Sequence, residues 1–226
     1  MAYAIRRPSW PSIVLGLVVL AFLVFSLPPY FIGDTRVPAT FALHYPLLVG
    51  HVMFGAVAMV CAVAQIWPGL RRRRPVLHRR TGRVYVATAI PAAACAMVIG
   101  AATPFGPILA VSNVLLAALW LWFTIRGYLA GRARHFGEHR RNMVYSATLA
   151  FSIITNRLWT PVLYITLNPL QHSVFDGNEE HFLWVVAGVG AWLGWTIPLA
   201  AVHWWMRRRP AIEPSSIPRT TATEPV

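Results

Sequence analysis

The chain has 226 residues, of which 57% are hydrophobic and only 12% charged, and its 20 basic residues outnumber its 7 acidic ones for a net charge of +13. Soluble domains carry about 25% charged residues, so an ordinary water-soluble domain is excluded. The charge does not mark a nucleic-acid surface either, because the arginines fall in short loops between long apolar runs. The composition is that of an integral membrane protein.

A helix needs roughly 20 apolar residues to cross a hydrocarbon core. Runs of that length occur at 12–32, 44–67, 83–102, 107–126, 143–166 and 181–205. None shows the alternating pattern of a barrel strand, and lipid forces each segment to satisfy its own backbone groups. The expected fold is therefore an all-α polytopic helical bundle with six transmembrane helices over residues 1–209. The first span follows Arg6 and Arg7 as a signal peptide would, but it ends in SLPPYF without a small-x-small cleavage site and is expected to stay as an anchor. The tail 210–226, rich in Pro, Ser and Thr, is expected to be disordered on the cytoplasmic side.

Span two ends in the basic turn PGLRRRRPVLHRRTGR, from Pro68 to Arg83. Span four ends in a second basic stretch, RGYLAGRARHFGEHRRN. With Arg6, Arg7 and the arginines of the C-terminal region, these put eighteen basic residues on one side of a six-span topology. The other side holds Arg36, Asp34, Asp176, Glu179 and Glu180. The positive-inside rule then places both termini in the cytoplasm, with the chain in the cell membrane. HRRTGRVYVAT (78–88) aligns with HRRNMVYSAT (139–148) across a one-residue gap, so spans two to five read as two pseudo-repeated hairpins related by an axis along the membrane normal.

Polar side chains at bilayer depth are costly and mark interiors or cavities. Counted at 1.5 Å per residue, His51 lies about 10 Å, Asn113 about 9 Å, Asn156 about 14 Å and Arg157 about 12 Å below the outer surface. These four form an expected outer layer. A guanidinium so deep stays charged and suits an anionic fork, which points to an acidic lipid, a haem propionate, another small anion or an outer-loop carboxylate; the plainer alternative is hydrogen bonding between helices. An inner layer comprises Gln65, His78, Tyr85, His139 and Tyr145, with His78 and His139 in equivalent places. These histidines are either headgroup-level charge with an aromatic belt or facing imidazoles that carry protons or ligate haem. His172, His181 and the acids of the last outer loop match no metal motif. Cys61 and Cys95 sit about 9 Å apart in depth on the same helical scale, too far for an expected disulfide. Gly188, Gly190 and Gly194 fit a dimer seam or close packing within one chain equally well.

The runs HVMFGAVAMVCAVAQIWPGLRRRRPVLHRRTGRVYV and HRRNMVYSATLAFSIITNRLW resemble an uncharacterised bacterial family of predicted membrane proteins carrying a domain of unknown function, DUF2306-like, over residues 44–165. The likeness rests on His51, Gly55, Ala58 and Gln65, on His78, Arg79, Gly82, Arg83 and Tyr85, and on His139, Arg140, Met143 and Arg157. Asn142 stands where such a family would carry an aromatic residue. The layout is also similar to that of b-type membrane cytochromes, which would imply haem b with His51, His78 or His139 as ligands. Three functions follow: a haem- or quinone-linked redox protein; a transporter or a lipid- or anion-binding protein with an outer site around Arg157; or an enzyme on a lipid-linked substrate with His51 or His139 as general base. The lipid bilayer is the expected partner in all three, and nucleic acid is a partner in none.

Overall fold

A computed structural model describes residues 10–33 and 37–208. Arg6, Arg7, Asp34, Arg36, Arg209 and the tail 210–226 lie outside the described residues. No strand occurs among those described, so the all-α expectation holds. The helices are α1 (Trp10–Ser26), α2 (Pro28–Phe31), α3 (His44–Ile66), α4 (Pro68–Arg73), α5 (Pro75–Ala101), α6 (Gly106–Arg132), α7 (Phe136–Leu167), α8 (Gln171–Val174) and α9 (Glu179–Arg207). Among the described residues α3, α5, α6 and α9 are each long and apolar enough to cross a membrane. The other two expected spans are built differently. α1 stops after 17 residues where Pro28 and Pro29 interrupt it, and α7 runs for 32 residues but carries Asn142, Ser146, Ser152, Asn156 and Arg157 along its length.

The basic stretch after span two is helical rather than an open turn. Arginine is a good helix former, and the chain breaks only at Arg74, whose φ of −133° and ψ of 66° leave the helical region before Pro75 starts α5. Proline suits a first helical position because its missing N–H would be unpaired there anyway.

α5 packs between α3 and α6, α6 and α7 pack together, and α3 touches α7, so α3, α5, α6 and α7 form the four-helix core. α9 lies against α6 and α7, and α1 lies against α3. Small residues bring the axes close. Ala58, Ala62, Ala89, Ala92 and Ala93 fill the centre with Tyr85, Trp120 and Leu149. The three glycines of α9 all face their own chain: a Cβ on Gly188 would meet Ile108 at 2.6 Å, one on Gly190 Thr160 at 3.1 Å and one on Gly194 Asn156 at 2.9 Å. Close packing within one chain accounts for them.

The seam between α7 and α9 also solves a backbone problem. Pro198 lies inside α9 and has no N–H, so the carbonyl of Gly194, four residues earlier, loses its helical donor. The hydroxyl of Thr155 donates to that carbonyl. In lipid such repairs come from neighbouring helices, Ser and Thr side chains or ordered water, and here a threonine of the neighbouring helix makes it.

Candidate functional site

The outer-layer residues distribute over separate seams. His51, on α3, is hydrogen-bonded through Nδ1 to the carbonyl of Ala92 on α5 at 2.9 Å. A carbonyl only accepts, so Nδ1 carries the proton. Asn113, on α6, lies against Gly100 of α5, where an added Cβ would come within 2.7 Å of it. Asn156 lies against Gly194 of α9, and its carbonyl and side-chain oxygens accept from Thr160 at 3.0 and 3.1 Å. Arg157 is on an exposed face of α7 beside Leu158. At the same end His44 is buried and hydrogen-bonded to Thr40, whose hydroxyl also donates to the carbonyl of Ala102. The acids Glu179 and Glu180 occupy the first turn of α9, which Asn178 caps by accepting from the N–H of His181 at 3.1 Å; acids are favourable there against the helix dipole. No group of three or more His, Cys, Asp or Glu among the described residues could hold a metal ion, and both cysteines are free thiols.

At the arginine-rich end Gln65 ties α3 to the start of α5, donating to the carbonyl of His78 at 2.9 Å and to the hydroxyl of Thr81. His78 Nδ1 is buried without a hydrogen-bond partner. His139, on α7, donates from Nδ1 to the carbonyl of Gly127 at 2.8 Å. It can come that close because residue 131 is glycine: a Cβ there would lie 2.8 Å from the same nitrogen.

Tyr85 and Tyr145, which the sequence repeat makes equivalent, have different surroundings. Tyr85 is 1% exposed and belongs to a closed ring of hydrogen bonds. Thr124 spends its one proton on the carbonyl of Trp120 at 2.7 Å, so in its 2.7 Å contact with Ser146 it must accept. Ser146 then accepts from Tyr85 at 2.6 Å, and Tyr85 accepts from the indole N–H of Trp120 at 3.3 Å. The ring starts and ends on Trp120, and each hydroxyl gives its proton to the next member. A buried network satisfied in this way rigidifies a core.

Tyr145 instead reaches α9, where its hydroxyl is hydrogen-bonded to Nδ1 of His203 at 2.7 Å. The pair lies in an open cleft of about 830 Å³ between α6, α7 and α9. Trp122, Phe123, Trp195 and Leu199 give it aromatic and aliphatic walls. Arg126 from α6, Arg141 from α7 and Arg207 from α9 are among the residues that line it, and none of the described residues lining it is acidic. Asn142 is there as well, buried, and Arg126 sits 5.3 Å from the ring centre of Trp122 in a cation–π contact. Sequence reasoning selected Tyr145 and overlooked His203, Arg126 and Arg207. The available signal was HWWMRRR, a histidine one turn above an arginine run in an apolar helix; it reads as a topology determinant until α9 is seen to lie against α7.

No curated protein and no solved structure matches the chain. A family model does, and it runs from residue 48 in α3 to residue 205 in α9, so the sixth expected span falls inside the matched region with nearly all of the four-helix core. By that match over residues 48–205, the chain belongs to the family of predicted membrane proteins DUF2306.

Proposed function

We propose that this membrane protein binds an acidic amphiphile in the cleft between α6, α7 and α9. The observation that carries the reading is the convergence of Arg126, Arg141 and Arg207 on a concavity with apolar walls and no acidic lining residue. Arginines at an inner membrane face are common as topology signals. Three of them from three helices, lining one open cleft with aromatic and aliphatic walls, also form a headgroup site. The topology that goes with this reading has six spans, α1 and α7 included, and both termini in the cytoplasm of a cell-membrane protein. The cleft then opens to the inner leaflet, and the ligand-binding site lies at the opposite end from Arg157.

The test is native mass spectrometry of protein extracted in a mild detergent. Acidic lipids are expected to remain bound to the wild-type chain, and the combined R126Q, R141Q and R207Q variant is expected to lose them while keeping its helical circular dichroism. Equal retention of neutral and acidic lipids by the wild type would overturn the proposal.

A histidine-ligated haem is a second reading, supported by one feature. His51 and His139 each donate Nδ1–H to a backbone carbonyl, which leaves Nε2 unprotonated, as second-shell carbonyls do for ligating histidines. A Soret band in the purified protein that disappears in H139A would favour it. Protein loaded with haem precursor and still colourless would remove it.

A further inference from the structure

We infer that the amphiphile in this cleft carries more than one negative charge on its head, as a phosphomonoester or diphosphate does, and is a single lipid of the inner leaflet. The inference rests on the acidic-amphiphile reading above and narrows it. The charges in the cleft are three guanidiniums with no carboxylate among the lining residues. A phosphodiester head offers one charge over two terminal oxygens, enough for one planar guanidinium fork. A phosphomonoester offers three terminal oxygens and, at pH 7, about −1.5 to −2 charges, which suits guanidiniums from three directions.

The vertical order of groups along α9 fits a lipid. Arg207 is at the mouth, His203 lies four residues or about 6 Å further in, and Trp195 lies twelve residues or about 18 Å in, by the helical rise. A head at the arginines therefore puts its first ester oxygens beside the Tyr145–His203 pair and its chain along Leu199, Phe123 and Trp195. Both members of that pair can donate or accept hydrogen bonds, which suits an ester or hydroxyl group and adds no charge of its own sign to the lipid. The contact of Arg126 with the Trp122 ring holds that guanidinium in place before any ligand arrives, which lowers the ordering cost of binding.

The experiment is a native mass spectrometry titration of delipidated wild-type protein in detergent with dioleoyl phosphatidate, dioleoyl phosphatidylglycerol, dioleoyl phosphatidylcholine and glycerol 3-phosphate. At pH 7.5 phosphatidate is expected to bind roughly fivefold more tightly than phosphatidylglycerol, since one added charge near the guanidiniums contributes on the order of 1 kcal/mol. That preference is expected to shrink toward unity near pH 5, below the second phosphate pKa of about 6, because the extra charge is then protonated. R207Q, at an exposed position, is expected to weaken phosphatidate several-fold more than phosphatidylglycerol. Equal affinity for the two acidic lipids at pH 7.5, with phosphatidylcholine weaker, would overturn this inference and leave the acidic-amphiphile reading standing. Affinity no better than phosphatidylcholine for either would overturn both. Glycerol 3-phosphate binding as tightly as phosphatidate would overturn the assignment to a lipid.

Discussion

The stretches His78–Thr88 on α5 and His139–Thr148 on α7 have nearly the same letters and different fates. Both start at the fourth residue of their helix, after Pro75 and Phe136. Seven residues separate His78 from Tyr85, and six separate His139 from Tyr145. At about 100° per residue, the first step returns to within about 20° of the histidine's face, and the second falls about 120° short of two full turns. The single gap therefore swings the buried Tyr145 away from the Tyr85 network and toward α9. The gap-free partner of Tyr85 is Ser146, and these two are hydrogen-bonded at 2.6 Å. Letters align best with a gap, but helix faces align without one. Tyr85 thus joins Ser146 in a sealed core network, and Tyr145 supplies a wall of the cleft.

The largest effect expected from this difference is at two glycines, Gly131 that faces the second stretch and Gly82 that lies within the first. A Cβ on Gly131 would lie 2.8 Å from His139 Nδ1, whereas one on Gly82 would meet Gln65 no closer than 3.5 Å. G131A has to push the imidazole off the carbonyl of Gly127, an overpacked seam with a lost hydrogen bond, and is expected to cost about 1–3 kcal/mol. G82A is expected to be tolerated or to gain up to about 0.5–1 kcal/mol, because alanine suits a helix better than glycine. Thermal unfolding in detergent, monitored by circular dichroism, compares the two. Equal midpoints for G131A and G82A would mean that His139 is not held between α6 and α7 as described.

Next in size is Y85F. It removes the donor to Ser146 and the acceptor of the Trp120 N–H in a fully buried site, and is expected to cost about 1–2 kcal/mol; interhelical hydrogen bonds in membranes contribute about 0.6–2 kcal/mol each. The same unfolding measurement reads it. S146A, which cuts the ring at the neighbouring hydroxyl, is expected to show a similar loss, and the double variant less than the sum, because both substitutions break one network.

The all-helical class and most helix boundaries were legible because both depend on local quantities, apolar length and the positions of proline and arginine. α1 departs from its expected end at residue 32 because Pro28 and Pro29 follow the helix, and the Pro68–Arg83 turn proved helical because runs of arginine leave the helical conformation open. The candidate site was legible in part. Tyr145 was selected; Gln65, His78 and His139 stood out because an ionisable or amide group at the end of an apolar run is conspicuous, but they are not among the residues that line the cleft. His51, Asn113, Asn156 and Arg157 share a depth, but depth along each helix carries no information on rotation about it, and three of them face three different seams. His203 was missed for the converse reason. Its helix looks like a lipid-facing span with a basic stop, and only the packing of α9 on α7, through Gly190 and Gly194 against Thr160 and Asn156, brings it to Tyr145.

Y145F is the smallest expected effect on stability and the sharpest test of the contrast. The Tyr145 hydroxyl bonds to His203, an exposed residue at the cleft, so water or lipid headgroups can replace the lost bond and no buried donor is stranded. The unfolding midpoint should shift by less than the equivalent of about 0.5 kcal/mol, the usual range for substitutions that strand nothing, while Y85F loses two to four times as much. Ligand retention should order them the other way. Y145F removes the hydroxyl beside His203 and is expected to lower retention of acidic lipid, whereas Y85F acts inside a ring that no ligand reaches and leaves retention unchanged in the folded fraction. If Y145F unfolds as early as Y85F, the two tyrosines share one role after all, and the one-residue offset has no functional consequence.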